Sequence, residues 1–338
     1  MKSILFYTTV ISLVFFYISH IFAKKFEFFD HPSKRKIHLK PIPYTGGLGL
    51  ILSFFMIIWI SFFDYILLNI IFTSFFIFIL GFLDDKYKIN IGSRILFQIL
   101  IIYFFIENYN LKIDYIFELG AGYKLDLGGM NLIFTVLCVI FFINAYNYTD
   151  GIDGLLTIQT IFIFTSLILL QIIFYKFVNY DLIFLIIPLL IFLLYNFNLL
   201  IFPKLFLGNG GSTMLGFIVS FFAIYYGYYS NLTIDPEIII WVLAFIVYEF
   251  LSTNLSRILN NKDIFKPGQD HIHYFILKKY NSIYIVNLII LFMNILFLLI
   301  GYFSFLLGDI ISLINFIIIF IIYFIFRQRL ANSIKKNY

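Results

Sequence analysis

Residues 144–154, Asn144-Ala145-Tyr146-Asn147-Tyr148-Thr149-Asp150-Gly151-Ile152-Asp153-Gly154, gather two asparagines, two aspartates and two glycines between apolar runs ending at Ile143 and resuming at Leu155. Oxygen-rich side chains on a freely turning backbone suit a divalent cation carrying phosphate. Asp-Gly-X-Asp-Gly alone is also a common turn. Four further stretches carry comparable chemistry. Asp84-Asp85 closes an apolar run after Gly81, and adjacent carboxylates repel unless a cation or proton lies between them; a solvated helix end is the plainer reading. Gly208-Asn209-Gly210-Gly211-Ser212 leads into another apolar run, with Ser212 placed to cap a helix whose first N–H groups favour phosphate. Such a loop is equally an ordinary turn. His271-Ile272-His273 sets both rings on one face of an extended segment, not of a helix, or leaves them in solvent. His38 lies among Arg35, Lys36 and Lys40, a cluster suited to phosphate or to anionic lipid.

The elements that must position these groups are membrane helices. The chain of 338 residues is 62% hydrophobic and 12% charged, against roughly 45–50% and ~25% in soluble domains. The composition implies an all-α polytopic membrane protein. The net charge of +5 is spread over loops, so it sets orientation and implies no nucleic-acid partner. Cys138 is the single cysteine; an intrachain disulfide is excluded, and a packed bystander is the expected role. The run 3–23 outlasts a signal-peptide core and ends at Ser19-His20-Ile21-Phe22-Ala23, a poor cleavage site, so it reads as a retained helix.

At about twenty apolar residues per crossing, about eleven transmembrane helices are expected. They fall near 3–23, 45–63, 65–82, 92–107, 129–146, 155–175, 181–199, 211–229, 237–258, 282–306 and 308–326. Of the 23 Lys and Arg residues, all but Lys2, Lys112, Lys124 and Lys176 fall on one set of alternate loops and the C-terminal tail. That side is expected to be cytoplasmic, with the N-terminus outside and the C-terminus inside. No repeat or low-complexity linker divides the chain, so one integral-membrane domain over 1–338 is expected. Every chemically suggestive stretch lies on the cytoplasmic side, which places an active site at that face.

Together these stretches resemble the polyprenyl-phosphate N-acetylhexosamine-1-phosphate transferase family, glycosyltransferase family 4. The resemblance runs over about 28–275, leaving two further spans and a cytoplasmic tail in 276–338. It rests on Asp30-His31-Pro32-Ser33-Lys34-Arg35-Lys36-Ile37-His38 with Pro41, Pro43 and Gly46-Gly47, and on Gly81-Phe82-Leu83-Asp84-Asp85 with Arg94 and Gln98. It continues through 144–154 to Phe265, Pro267 and Asp270-His271-Ile272-His273. The His-X-His form looks like the N-acetylglucosamine-type branch. The resemblance implies transfer of a sugar 1-phosphate from a UDP-N-acetylhexosamine to polyprenyl (undecaprenyl) phosphate with release of UMP. It implies Mg²⁺ (or Mn²⁺ in its place), residence in a bacterial inner membrane, a role early in cell-envelope polysaccharide synthesis, and allows a homodimer. By residue, it implies catalytic roles for Asp84, Asp85, Asp150, Asp153, His271 and His273. Asn147, Asp150 and Asn209 would hold the metal. Arg35, Lys36, His38, Arg94, Asn144, Gly208, Gly211 and Ser212 would contact substrate.

The sequence departs from that pattern where the family writes Gly-Asp-X-Gly-Ser, since Asn209 stands at the Asp that ligates metal. An amide oxygen ligates Mg²⁺ without the formal charge that a hard cation favours. Glu249 replaces a usual Asp, Gly268 and Gln269 an Asp-Arg pair, and Tyr274 a His. A non-catalytic member that binds lipid phosphate is the alternative these changes leave open.

Overall fold

The computed structural model describes residues 2–32, 38–60, 64–118, 124–264 and 268–337. The chain forms two compact units, Met1–Lys112 with Leu132–Tyr225, and Ile113–Asn131 with Tyr226–Tyr338.

The first unit opens with α1 (Lys2–Phe26), followed by an antiparallel pairing of β1 (Phe29–Asp30) with β2 (Ile42–Pro43). Then come α2 (Gly46–Ile60), α3 (Tyr65–Tyr87) and α4 (Ile91–Tyr109). The chain returns to this unit through α5 (Asn131–Thr149), α6 (Leu155–Tyr175), α7 (Tyr180–Asn196) and α8 (Gly208–Ile224). Local chemistry fixes the ends that matter. Asp64 caps α3 by accepting the Ile66 N–H at 2.9 Å, and Asn90 caps α4 through the Gly92 N–H at 2.8 Å. Lys88 closes α3 in the left-handed region, its N–H bonded to the Asp84 carbonyl at 2.8 Å. Asp84 and Asp85 therefore sit in the last turn of one helix, a short turn away from Arg94 in the first turn of the next.

The central element of this unit is α8, buried continuously from Gly210 to Ile224. Small residues at its start let α3 approach to backbone distance. A Cβ on Gly81 of α3 would lie 2.7 Å from the Asn209 carbonyl oxygen and 2.7 Å from the Gly210 Cα. This is the close approach that small residues permit between membrane helices. The helix is already under way before Ser212, so Ser212 lies inside it and is not the cap that the loop reading expects. Its hydroxyl instead donates to the Asn209 carbonyl at 3.2 Å.

The second unit holds the hairpin of β3 (Tyr115–Glu118) and β4 (Lys124–Asp126). It continues with α9 (Pro236–Val242), α10 (Ala244–Leu259), α11 (Ile272–Tyr280), α12 (Ile283–Leu306) and α13 (Asp309–Asn337). Hydropathy reads 237–258 as one span, whereas α9 and α10 meet at 67°. Neither Pro nor Gly marks that break. Beside it Trp241 is buried, donates through Nε1 to Ser312 Oγ at 3.0 Å, and lies where a Cβ on Gly301 would fall.

Each expected apolar run coincides with helix, but length divides them. Among the described residues, eight helices are long and apolar enough to cross a membrane, or nine if α9 and α10 form one broken span. The apolar α2 and α7 are shorter, at 15 and 17 residues. The structure thus supports a helical multi-pass membrane protein with fewer full-length spans than hydropathy alone suggests.

Candidate active site

In the first unit the polar residues converge on the start of α8. Asp84 is buried, and its Oδ2 accepts Arg94 Nη1 at 2.7 Å and Asn209 Nδ2 at 3.2 Å. Its neighbour Asp85 accepts from the same residue through a different group, the Asn209 backbone N–H, on Oδ2 at 2.8 Å. The two carboxylates thus reduce their mutual repulsion by taking separate donors. Asp85 also serves as the anion at the α8 N-terminus, where unpaired N–H groups favour negative charge. Gly208 makes this fit: its φ is +77°, and a Cβ there would lie 2.7 Å from the Tyr44 carbonyl and 2.9 Å from Asp85 Oδ2. Only glycine meets both demands.

Asn147, near the end of α5, donates through Nδ2 to Asn209 Oδ1 at 2.9 Å and to Ser212 Oγ at 3.1 Å. The Asn209 amide is therefore oriented at both ends, nitrogen to the Asp84 carboxylate and oxygen to Asn147. Asp150 follows Asn147 by three residues, with its N–H on the Tyr146 carbonyl at 3.2 Å, which keeps it on the same side of the helix end. It lies within electrostatic reach of Asp85. Loss of water around it, reinforced by the charge of Asp153, pushes the Asp150 carboxyl up to about 7. Asp153 itself is paired with Lys204 Nζ at 2.5 Å.

The loop carrying Asp150 and Asp153 is tied down by a residue without an evident sequence signal. Asn196, buried at the end of α7, accepts the Gly154 N–H at 2.5 Å and donates to the Leu205 carbonyl at 2.8 Å. The following segment is strung to the chain before α2 by Phe206 N–H to the Pro43 carbonyl and Gly46 N–H to the Phe206 carbonyl, both at 2.8 Å. Lys204 and Asn196 escape sequence reading because their partners lie 51 and 42 residues away.

Of the other expected substrate contacts, Asn144 donates to the Ile140 carbonyl of its own helix at 2.8 Å. Gly211 packs against Gly47 of α2. His38 places Nε2 3.0 Å from Asp30 Oδ2 and Nδ1 2.8 Å from the Lys40 carbonyl. Arg35 and Lys36, like Phe265 and Pro267, lie outside the described residues.

The histidine motif belongs to the second unit. His271 has extended backbone at the cap of α11 and His273 lies inside the helix, yet their rings are parallel, 1° apart in tilt with centroids at 5.4 Å. Glu249 of α10 anchors them. Its Oε1 lies 3.2 Å from His271 Nδ1 and accepts the Ile272 N–H at 2.9 Å and the Thr253 hydroxyl at 3.0 Å. Burial, with the neighbouring His271 and against the pull of Glu249, drives the His273 imidazole down to about 3, so it is neutral at physiological pH. Arg257 grips Asp270 with two bonds, Nε to Oδ2 at 2.8 Å and Nη2 to Oδ1 at 2.7 Å. Burial alone would raise the Asp270 carboxyl, but the fork and charge of Arg257 outweigh it and hold the group at about 2.

The donor set in the first unit is oxygen-only, which suits a hard divalent cation. Among the described residues no three His, Cys, Asp or Glu side chains converge as a ready-made metal centre. Charge supplies the test of fit. Burial raises the carboxyls of both Asp85 and Asp150 to about 7. Among the described residues Arg94 is the cation paired with this group, through Asp84, so ionising all three carboxyls would leave an excess of negative charge beside the α8 N-terminus. A divalent cation is the natural complement, and Asn147, Asn209 and Ser212 add neutral oxygens.

Apolar helices long enough to cross a membrane, with carboxylates, amides and a guanidinium gathered at the start of α8, define a helical multi-pass membrane protein. Comparison with known proteins sharpens that class. The family model described as glycosyl transferase family 4 matches residues 67–227. The chain is 28% identical over 249 residues to the probable undecaprenyl-phosphate N-acetylglucosaminyl 1-phosphate transferase of Bacillus subtilis (strain 168), covering 72% of this chain and 68% of the relative. Two proteins named undecaprenyl-phosphate alpha-N-acetylglucosaminyl 1-phosphate transferase are also similar. The Thermotoga maritima protein is 28% identical over 275 residues, 80% of each chain. The Escherichia coli (strain K12) protein is 25% identical over 297 residues, 82% of this chain and 75% of the relative. These comparisons support glycosyl transferase family 4 as the family of this chain.

Proposed function

We propose that the protein is a phosphoglycosyl transferase that moves N-acetylhexosamine 1-phosphate from a UDP-sugar to a polyprenyl phosphate and releases UMP. The observation that carries this reading is the cluster of Asp84, Asp85, Asp150 and Arg94 at the ends of apolar helices. The names of the similar proteins supply the acceptor class. In the reaction an oxygen of the lipid phosphate attacks the β-phosphorus of the UDP-sugar. The bond from that phosphorus to the bridging oxygen breaks, and UMP departs with the electron pair. A phosphate monoester has its second pKa near ~6, so the acceptor is largely dianionic and needs orientation more than deprotonation.

Arg94 presents a guanidinium suited to a phosphate oxygen, held in place by Asp84. Asp85 and Asn209 keep the α8 start rigid, and rigid dipoles around developing charge favour transfer. Asp84, Asp85 and Asp150 with Asn147 and Asn209 are the residues that would hold Mg²⁺. When bound, the ion supplies positive charge against the diphosphate. The neutral His273 beside His271 suits hydrogen bonding to a diphosphate without a fixed charge. In this reading the protein resides in a bacterial inner membrane with the site facing the cytoplasm, where the soluble nucleotide is available.

One observation favours a second reading. The Asn209 amide satisfies Asp84 and Asn147 by itself, an arrangement that a lipid-phosphate-binding protein without turnover would also tolerate. Purified protein with undecaprenyl phosphate, Mg²⁺ and a panel of UDP-N-acetylhexosamines separates the two. UMP release that requires lipid, metal and Asp150, tested with Asp150→Asn, is expected. Tight lipid-phosphate binding with no release from any donor would establish the second reading instead.

A further inference from the structure

We infer that Arg327 and Tyr323, on the C-terminal helix α13, are positioning residues that fix the His271–His273 pair through Glu249. Arg327 is 1% exposed. Its Nη2 donates to Thr253 Oγ1 at 3.1 Å and to the Asp270 carbonyl, its Nε lies 3.7 Å from Glu249 Oε2, and its guanidinium lies 5.6 Å over the Phe275 ring. Tyr323 donates its hydroxyl to the same Glu249 Oε2 at 2.5 Å. Glu249 thus presents one oxygen to α13 and the other to Thr253, His271 Nδ1 and the Ile272 N–H. The carboxylate is a bridge between two elements.

The chemistry requires this bridge to act on a histidine. An oxygen that already receives a backbone N–H and a hydroxyl is an acceptor, so His271 meets it with Nδ1–H. That fixes the tautomer and ring plane of His271, against which His273 is stacked. The groups facing His271 include Glu249 and Thr253 from α10, Asp270, His273 and Tyr274 from its own segment, and Arg327 from α13 by way of Thr253 and the Asp270 carbonyl. Burying an arginine and a glutamate costs desolvation that an apolar contact would avoid. A helix that needed only to pack would not carry them. The two residues lie beyond 67–227, the segment matched by the family model. The inference rests on the proposed reaction only in taking His271 and His273 to serve it.

The test uses full-length protein with ¹⁵N-labelled histidine in detergent. The imidazole nitrogens of the five histidines are recorded, and those of His271 are assigned with His271→Gln. Arg327→Met, Arg327→Lys and Tyr323→Phe are compared with wild type. Wild type should show His271 carrying its proton on Nδ1. In Arg327→Met that signature should give way to mixed tautomers, with kcat for UMP release lowered about 100-fold, the scale of a small misplacement. Arg327→Lys should restore the tautomer and most of kcat, which a purely space-filling role would not predict. Should Arg327→Met fail to fold, Tyr323→Phe and Arg327→Lys decide through the same signature. Unchanged tautomer and kcat in the variants overturn the inference. Absence of UMP release in wild type would defeat the proposed reaction instead, while the tautomer comparison still judges α13.

Discussion

At the residue scale the site turns on who satisfies each carboxylate. Asp84 has Arg94, Asp85 has the α8 backbone, and Asp153 has Lys204. Among the described residues Asp150 is paired with no cation, and its carboxyl is raised to about 7, as is that of Asp85. The sign of the consequence is definite. Because its folded pKa lies above that of the unfolded chain, Asp150 favours folding most below about 4. That contribution is lost as pH rises towards about 7. A cation bound beside it reverses the preference, because binding selects the carboxylate. Activity at limiting Mg²⁺ should therefore fall on acidification through about 7, and saturating Mg²⁺ should move that limb to lower pH. A limb that stays fixed across a Mg²⁺ titration would refute the assignment. Asn209 makes the complementary prediction. Asn209→Asp replaces a donor to Asp84 by a further carboxylate, so its melting temperature without divalent ions should drop below wild type. Mg²⁺ should then raise it by more than it raises wild type, as measured by thermal unfolding with and without EDTA.

At the element scale the decisive contact is α3 against α8. Gly81 leaves no room for a side chain, since a Cβ would lie 2.7 Å from two backbone atoms and from Thr213 Oγ1. Gly81→Ala should destabilise the protein by about 1–3 kcal/mol through overpacking, and should lower activity further by displacing Asp84 and Asp85 from Asn209. Thermal unfolding paired with UMP release checks both. Asn196→Ala should cost a similar ~1–3 kcal/mol, because it strands the Gly154 N–H and the Leu205 carbonyl. Hydropathy and charge locate the apolar helices and the polar stretches of this chain well. They do not show that α8 begins before Ser212, because a glycine-rich stretch gives no helix signal of its own. Nor do they show the break at Leu243, which no proline or glycine announces. The pairing of Asp85 with the α8 backbone was equally out of reach, since the two are 124 residues apart.

At the scale of the whole molecule the two units divide the chemistry. Carboxylates, amides and Arg94 lie in one, the histidine pair with Glu249, Arg257 and Arg327 in the other. The sequence motifs identify representatives of both, Asp84, Asp85 and Asp150 on one side and His271 and His273 on the other. They pass over Arg327, which sits at the margin of an apolar run and reads as a tail charge although the fold buries it. The distribution of Lys and Arg along the chain makes a prediction about the entire protein. A reporter fused to the C-terminus should be active only as a cytoplasmic marker, and one fused to the N-terminus only as an external one. Both termini on the same side would overturn the proposed topology and the cytoplasmic face assigned to the site.

The continuous burial of α8 has a consequence for how the protein is made. A segment that begins with Gly208, Asn209, Gly210, Gly211, Ser212 and Thr213 offers lipid little to hold as it leaves the ribosome, and its backbone is shielded only once α3 lies against it. Because α3 is synthesised first, it is already present as a template. Insertion of α8 is then expected to be coupled to docking on α3 and on Gly47 of α2, with Asn209 meeting Asp84 and Asp85 in that same step. Assembly and maturation of the carboxylate cluster are then a single event, so a chain stalled before α8 would hold Asp84 and Asp85 without the Asn209 contacts that organise them.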